Sequence, residues 1–214
     1  MIPFSRRPAL VRRAALLVVA SLLFLGLTHA HWVLFDYRFT TITPERVFQS
    51  AEIPPPALVR KVREHGIRTV IDLRQDGGEP IEAERRALTE AGVRYVNLPS
   101  AQVPDDGTVD AFLGIMEQSD TYPVLIHCEH GQGRSVLFAA LYRIEFEGWT
   151  NERAVGGTRL VSGRGSFAPD EPKGRYLRAY QPRRALAERT PARAPEPLSA
   201  MVNSLPRSGE PRPQ

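Results

Sequence analysis

The chain of 214 residues has a single cysteine, Cys128. One thiol excludes an internal disulfide, and it excludes a structural zinc site built on cysteine, which needs at least two thiolates. The first 35 positions contain no acidic residue, only four arginines. Between Ala14 and Phe35 no charged residue of either sign occurs. No basic stripe interleaved with aromatics runs through the body of the chain, which argues against nucleic acid as a partner. No internal repeat is present.

What remains is a globular composition, 42% hydrophobic and 24% charged, with enough length for one domain and appendages. The isoelectric point of about 9.6 is misleading. Residues 36–180 hold 18 Lys and Arg against 21 Asp and Glu, whereas residues 181–214 hold six arginines against three glutamates. The basic character therefore sits in two end segments around a slightly acidic body.

The first segment, 1–35, reads as a targeting element. Arg6, Arg7, Arg12 and Arg13 precede an apolar run. Two readings stand: a signal peptide with Thr28-His29-Ala30 as its small-residue cleavage site, or a membrane anchor, since roughly 20 apolar residues cross a bilayer. Either exports the rest, to the periplasm or to the outer side of the inner membrane. A lone thiol is an oxidation liability outside the cytosol, so its retention there needs a reason. The last segment, 181–214, is rich in proline and arginine and poor in large apolar residues after Leu186. It reads as disordered.

Between them, strand and helix signals alternate. Arg68–Arg74, Val93–Pro99 and Pro123–Cys128 are short β-branched or apolar runs, the last apolar enough for a buried central strand. Helical patterns cover Ala57–His65, Ile81–Ala91 and Thr108–Gln118, with Gly66 and Gly92 as candidate C-terminal caps. "SVLFAALYRIEFEG" is a strong, nearly all-apolar helix that Gly148 ends. This order predicts an α/β domain over 36–180 with a mostly parallel central sheet flanked by helices.

The last strand and the apolar helix are joined by "HCEHGQGRS", residues 127–135. A strand-to-helix turn aims backbone N–H groups at one spot, and the helix dipole adds to them, making an anion site. Gly131 and Gly133 let the backbone curl. The same electropositive cup favours the thiolate of Cys128, the nucleophilic form. Arg134 closes the ring with a planar fork that grips two oxygens at once. Glu129, His130, Gly131, Gln132 and Gly133 form the substrate-binding curl. Ser135 reads either as a helix cap or as a hydrogen-bond donor to the Cys128 sulfur. His127 is open between a structural and an assisting role. Asp72 and Arg74 end a strand on the side where parallel sheets carry their sites, and an ion pair is the plainer reading for Arg74. The polar loop Arg159–Asp170 is a candidate border of the pocket.

His-Cys-x-x-Gly-x-x-Arg-Ser, met by His127, Cys128, Gly131, Arg134 and Ser135, resembles the signature of the cysteine-based protein tyrosine and dual-specificity phosphatases. "VFQSAEIPP", "GIRTVIDLR", "PVLIHC" and "LFAALYRIEFEGW" are similar to small bacterial members, exported ones included. The resemblance implies a dual-specificity-phosphatase-like fold, a cysteinyl-phosphate intermediate, no cofactor and no metal. It also implies an aspartate acid on an upstream loop. The usual place is somewhat under or about 30 residues before the cysteine; Ala101 stands 27 residues before Cys128, and the carboxylates nearest that place are Asp105 and Asp106, 23 and 22 residues before Cys128. Asp105 is the first candidate, and a cap on the helix that starts near Thr108 is the competing role for either.

The function expected is hydrolysis of phosphate monoesters on protein tyrosine, with serine and threonine open. The alternatives are a small-molecule phosphatase of phytase or nucleotide type and a phosphate-binding pseudophosphatase. The partner is then a phosphorylated protein or a small phosphate ester, with the membrane as a further partner if the leader stays uncleaved. Nothing in the sequence sets the oligomeric state.

Overall fold

The computed structural model describes residues 7–34, 36–75, 77–162 and 165–184. The expectation of disorder for 181–214 lies almost wholly outside the described residues. Among them, a five-stranded sheet runs in the order β1-β2-β5-β3-β4, with β1 Thr40–Thr43, β2 Val47–Ser50, β3 Thr69–Asp72, β4 Arg94–Asn97 and β5 Val124–His127. Only β1 pairs antiparallel; β2, β5, β3 and β4 are parallel. The predicted α/β architecture with a mostly parallel sheet is what the chain adopts.

Parallel neighbours need crossovers, which helices supply. They are α2 Pro55–His65, α3 Glu79–Glu90 and α4 Asp106–Glu117, with α5 Arg134–Glu147, α6 Asn151–Ser162 and α7 Pro172–Ala179 after the last strand. Strand side chains alternate between faces, and this sorts two cores. Val124 and Ile126 of β5 face a large cluster with Val109, Phe112 and Met116 of α4 and Leu137, Phe138 and Leu141 of α5. Leu125, between them in sequence, faces the smaller cluster with Leu58 and Val62 of α2 and Leu88 of α3. The central strand is buried on both faces, hence its unbroken apolar run. Helix α5 is buried over nearly its whole first ten residues and ends at Gly148, whose φ of 67° closes it in the left-handed conformation.

Strands β1 and β2 and helices α6 and α7 gave no clear sequence signal. The β1–β2 turn places Glu45 at φ 55° where glycine or asparagine is the usual marker. Gly156 and Gly157 sit inside α6 and weaken its helical pattern.

Ahead of the sheet, helix α1 runs unbroken from Arg7 to Leu34. Val11–Val33 within it is long and apolar enough to cross a membrane, and none of its most apolar window is buried against the protein.

The edge-to-face pair Phe112–Phe138, with ring centroids 4.9 Å apart, ties α4 to α5 across the large core. Truncating Phe112 to alanine is expected to cost about 3–5 kcal/mol, read as a lowered midpoint in urea unfolding with an unchanged slope; a cost under about 1 kcal/mol would contradict this packing.

Candidate active site

The carboxyl ends of β2, β3 and β5 meet in register: Ser50 and Asp72 both lie opposite His127. The chain leaves β5 there, turns through residues 128–133 and enters α5 at Arg134. Cys128 at the base of this turn is 2% exposed. Cys128, His130, Gln132, Gly133 and Arg134 line one cleft of about 180 Å³. The nucleophile and the guanidinium predicted to face one anion thus share a wall.

The curl is shaped by its neighbour strand. Gly131 takes φ 64°, and a Cβ there would stand 2.5 Å from the Ala51 nitrogen. Only glycine fits, on both conformational and steric grounds. Gln49, fully buried in β2, donates from Nε2 to the Gly131 carbonyl at 3.0 Å and to Ser135 Oγ at 3.1 Å. The Glu52 amide donates to the Glu129 carbonyl at 3.2 Å. With its amide oriented so that the oxygen faces Arg38, Gln132 accepts from both terminal nitrogens of that guanidinium at 2.5 and 2.9 Å.

Arg134 is 9% exposed. Its Nη1 donates to the Leu73 carbonyl at 2.9 Å and lies 3.5 Å from the Ser100 carbonyl. These contacts from the end of β3 and the loop after β4 fix the fork. Nη2 stands 3.7 Å from the Glu129 carboxylate, which is itself exposed. Ser135 is fully buried, with Oγ 3.3 Å from Cys128 Sγ and 3.3 Å from the Ser50 carbonyl. One hydroxyl proton serves two acceptors, so it can swing to the sulfur when the sulfur carries charge.

Beneath the loop lies a buried ionic layer. Arg74 reaches Asp72 at 2.7 Å, Glu84 at 2.6 Å and Glu52 at 2.6 Å. Tyr95 donates to Asp72 at 2.7 Å. His127 Nε2 stands 2.8 Å from Glu84. Burial would raise the Asp72 carboxyl, yet the Arg74 hydrogen bond, the nearby imidazole and the Tyr95 hydroxyl together hold it below the usual carboxylate range. The same burial and the anion it faces push the Tyr95 phenol far up. Arg74 is therefore the ion-pair residue the plainer reading gave. Asp72, Glu84 and His127 converge closely enough to invite a metal ion, but the Arg74 guanidinium is already paired with both carboxylates.

Asp105 sits at the N-terminus of α4, where its carboxylate accepts the Thr108 amide at 2.7 Å. That bond, on a fully exposed group, holds the carboxyl below its ordinary value. Asp105 is not among the residues that line the Cys128 cleft, and neither is any other carboxylate among the described residues. The geometry shown is that of the competing helix-cap role.

Three lining residues were not singled out in the sequence: Gln102, Ser166 and Lys173. Ser166 belongs to the polar loop that was a candidate border. Lys173 Nζ donates to Gln102 at 2.6 Å, bringing α7 to the loop after β4. No local pattern connects positions 71 residues apart, so this pair was invisible before the fold.

A mostly parallel sheet with a Cys-x5-Arg turn between its central strand and a buried helix defines the cysteine-dependent phosphatase class. The family model described as "DSP-PTPase phosphatase fused to NAD+ Kinase" matches residues 57–171, and the chain belongs to that family. The dual specificity protein phosphatase TpbA of Pseudomonas aeruginosa is 34% identical over 111 residues, 51% of this chain and 48% of that protein; the match spans about half of the relative's length. Among solved structures, P. aeruginosa TpbA, as a cysteine variant in complex with pTyr, superposes with a TM-score of 0.57 at 23% identity, over 72% of this chain and 93% of that one. The catalytic core of the PP-IP phosphatase SIW14 from S. cerevisiae, in complex with citrate, gives 0.57 at 15%, over 71% and 91%. At these identities the structures show a shared fold.

Two outcomes follow from this geometry. Gly131→Ala is expected to lower phosphate binding at least tenfold while leaving the far-UV circular dichroism unchanged, because only the loop must move; unaltered binding would refute the close packing on Ala51. Asp72→Asn is expected to destabilise the domain by roughly 3 kcal/mol at neutral pH, as breaking a buried pair does. A depressed carboxylate contributes stability above its unfolded value near about 4 and loses it as pH falls through the lower folded value. The gap between wild type and variant in urea titrations should therefore close below about pH 4; a gap constant with pH would exclude the ionic role.

Proposed function

We propose that this chain hydrolyses phosphate monoesters of protein tyrosine, with serine and threonine open, through a cysteinyl-phosphate intermediate. The carrying observation is that Cys128 and Arg134 line one cleft at the mouth of the amide turn. The phosphotyrosine held by the TpbA variant and the dual-specificity activity in that relative's name support this reading.

The Cys128 thiolate attacks phosphorus in line, forming the S–P bond as the P–O bond to the leaving group breaks. Arg134 and the amides of residues 129–134 hold the equatorial oxygens. The leaving oxygen takes a proton. Water then attacks phosphorus, phosphate leaves, and the sulfur departs as thiolate toward the Ser135 hydroxyl 3.3 Å away. Asp105 is the proposed acid; in its capping position it must leave Thr108 to act. Phenols leave with little protonation, so the arrangement favours phosphotyrosine over phosphoserine.

The domain division proposed is a leader over 1–35, a phosphatase domain over 36–180 and a Pro/Arg-rich tail. The leader places the domain outside the cytoplasm, in the periplasm or on the inner membrane. Its support is the basic cluster followed by the apolar span within α1.

Cys128→Ser should abolish the burst of nitrophenol from p-nitrophenyl phosphate. Arg134→Lys should lower kcat/KM by about 10²–10³, since a lysine cannot replace the fork; near-normal turnover in either variant would refute the mechanism. Asp105→Asn should slow alkyl phosphates by about 10²-fold or more and aryl phosphates much less. Equal effects on both would remove Asp105 as the acid.

A further inference from the structure

Where α1 meets the domain, the chain reverses on itself. Tyr37 and Arg38 both take left-handed backbone angles, with φ of 52° and 55°, a conformation uncommon outside glycine. The reversal is fastened in both directions. The Arg38 amide donates to the Trp32 carbonyl at 3.1 Å, and the Trp32 indole donates to the Phe39 carbonyl at 3.1 Å. The Arg38 guanidinium lies 5.5 Å from the centre of the Trp32 ring, within reach of a cation–π attraction.

A cleft of about 510 Å³ opens at this junction. Its lining is His29 and Trp32 of α1, Arg38, Gln132 of the catalytic turn, and Arg159, Val161 and Ser162 of α6. All of them can be reached from outside: His29 and Arg159 are exposed and the others half-buried. Two guanidiniums thus border one space, and no carboxylate is among its described lining residues. Asp36, the acid of the junction, is instead paired with Lys61 at 3.4 Å and His31 at 3.5 Å. Gln132 is the link to the anion cup. It also lines the Cys128 cleft, and its oxygen accepts from both terminal nitrogens of Arg38. Each terminal nitrogen carries a second hydrogen and Nε carries one more. Arg38 can therefore hold a further anion without releasing Gln132.

The apolar span sets the source of that anion. Val11–Val33 has the length to cross the hydrocarbon core of a bilayer. Trp32 stands at its end, the level of the lipid headgroups, where tryptophan is favoured. With the arginines ahead of the span held inside, the cleft opens on the headgroups of the outer leaflet. We propose that this cleft holds the phosphodiester headgroup of an anionic lipid between Arg38 and Arg159, and that its occupancy steadies Gln132 and tightens anion binding at Cys128 and Arg134. The site rests on the anchor reading of α1. It goes beyond the phosphatase reading, and lipid binding does not depend on turnover.

The test uses the full chain, as its Cys128→Ser variant, in nanodiscs of phosphatidylcholine alone or with about one third phosphatidylglycerol. Native mass spectrometry should find one phosphatidylglycerol retained per chain in preference to phosphatidylcholine. Arg38→Ala and Arg159→Ala should each lower that retention about fivefold or more, as loss of a charged hydrogen bond predicts. The Kd for inorganic phosphate, read by calorimetry, should be about fivefold lower with phosphatidylglycerol present, and Arg159→Ala should remove the difference. Surface charge alone predicts the reverse, since an anionic bilayer repels phosphate. Glycerophosphoglycerol, the headgroup without acyl chains, should have no effect at millimolar concentration. No preferential retention, or retention undiminished in either variant, would overturn the site. An equal effect of glycerophosphoglycerol would overturn the lipid as its source, and retention with unchanged phosphate affinity would overturn the coupling. Intact mass of the chain recovered from cell membranes should include residues 1–30; a chain cut after Ala30 would overturn the anchor reading and the site with it. A wild-type chain that binds lipid and phosphate but hydrolyses no phosphate ester would refute the phosphatase reading alone.

Discussion

The contact of Gly131 with Ala51 is the constraint on which the site rests. A strand and a helix joined by six residues could be connected in many ways. Here the middle of the connection is pressed onto the end of β2 so closely that no Cβ fits, and the buried Gln49 amide holds it there from the same strand. The course of the turn is thereby fixed. Preorganisation of this kind matters for catalysis, because donors already aimed at an anion need no reorganisation when charge develops. The register of β2 against β5, with Gln49 opposite Ile126 and Ser50 opposite His127, brings the two supports to the right height. A slip of one residue would turn Gln49 to the other face.

Charge is layered around that turn. Below it, Arg74 is surrounded by Asp72, Glu84 and Glu52, a buried network whose desolvation offsets much of its attraction. Its value is positional. Asp72 shares a register position with His127, and His127 stands beside Glu84, so the residue before Cys128 is set by side chains of β3 and α3. Above the turn, the cleft presents Arg134 and Lys173, with the exposed Glu129 carboxylate 3.7 Å from Arg134 Nη2.

The strand-to-helix turn was legible from nine residues, because two glycines sit between a buried apolar strand and a buried apolar helix, and the structure brings its Cys128 and Arg134 to one cleft. The central strand and α5 were legible too, since burial on all sides leaves an unbroken apolar run. The β1–β2 pair was not, because Glu45 takes the left-handed turn position that glycine usually announces. Nor was the support from β2. Gln49 in "VFQS" is an ordinary polar residue until the strand order places it under residues 131 and 135, more than 80 positions away. Lys173 and Gln102 are a similar case: position in the fold, not residue pattern, makes them neighbours.

The capping of α4 by Asp105 bears on what the site can cleave. A carboxylate that accepts the Thr108 amide is stabilised as an anion, and protonating a leaving group requires the opposite state. Either the loop between β4 and α4 shifts to release it, at the cost of one helix cap, about 1 kcal/mol, or leaving groups depart without its help. The first cost is small beside the about 3–5 kcal/mol that a placed acid contributes to alkyl ester cleavage. An alkyl phosphate therefore repays the rearrangement and an aryl phosphate has little need of it. In the proposed reaction, with Asp105 as its proposed acid, selectivity between phosphoserine and phosphotyrosine is in this way tied to the stability of one helix N-terminus rather than to the shape of the cup.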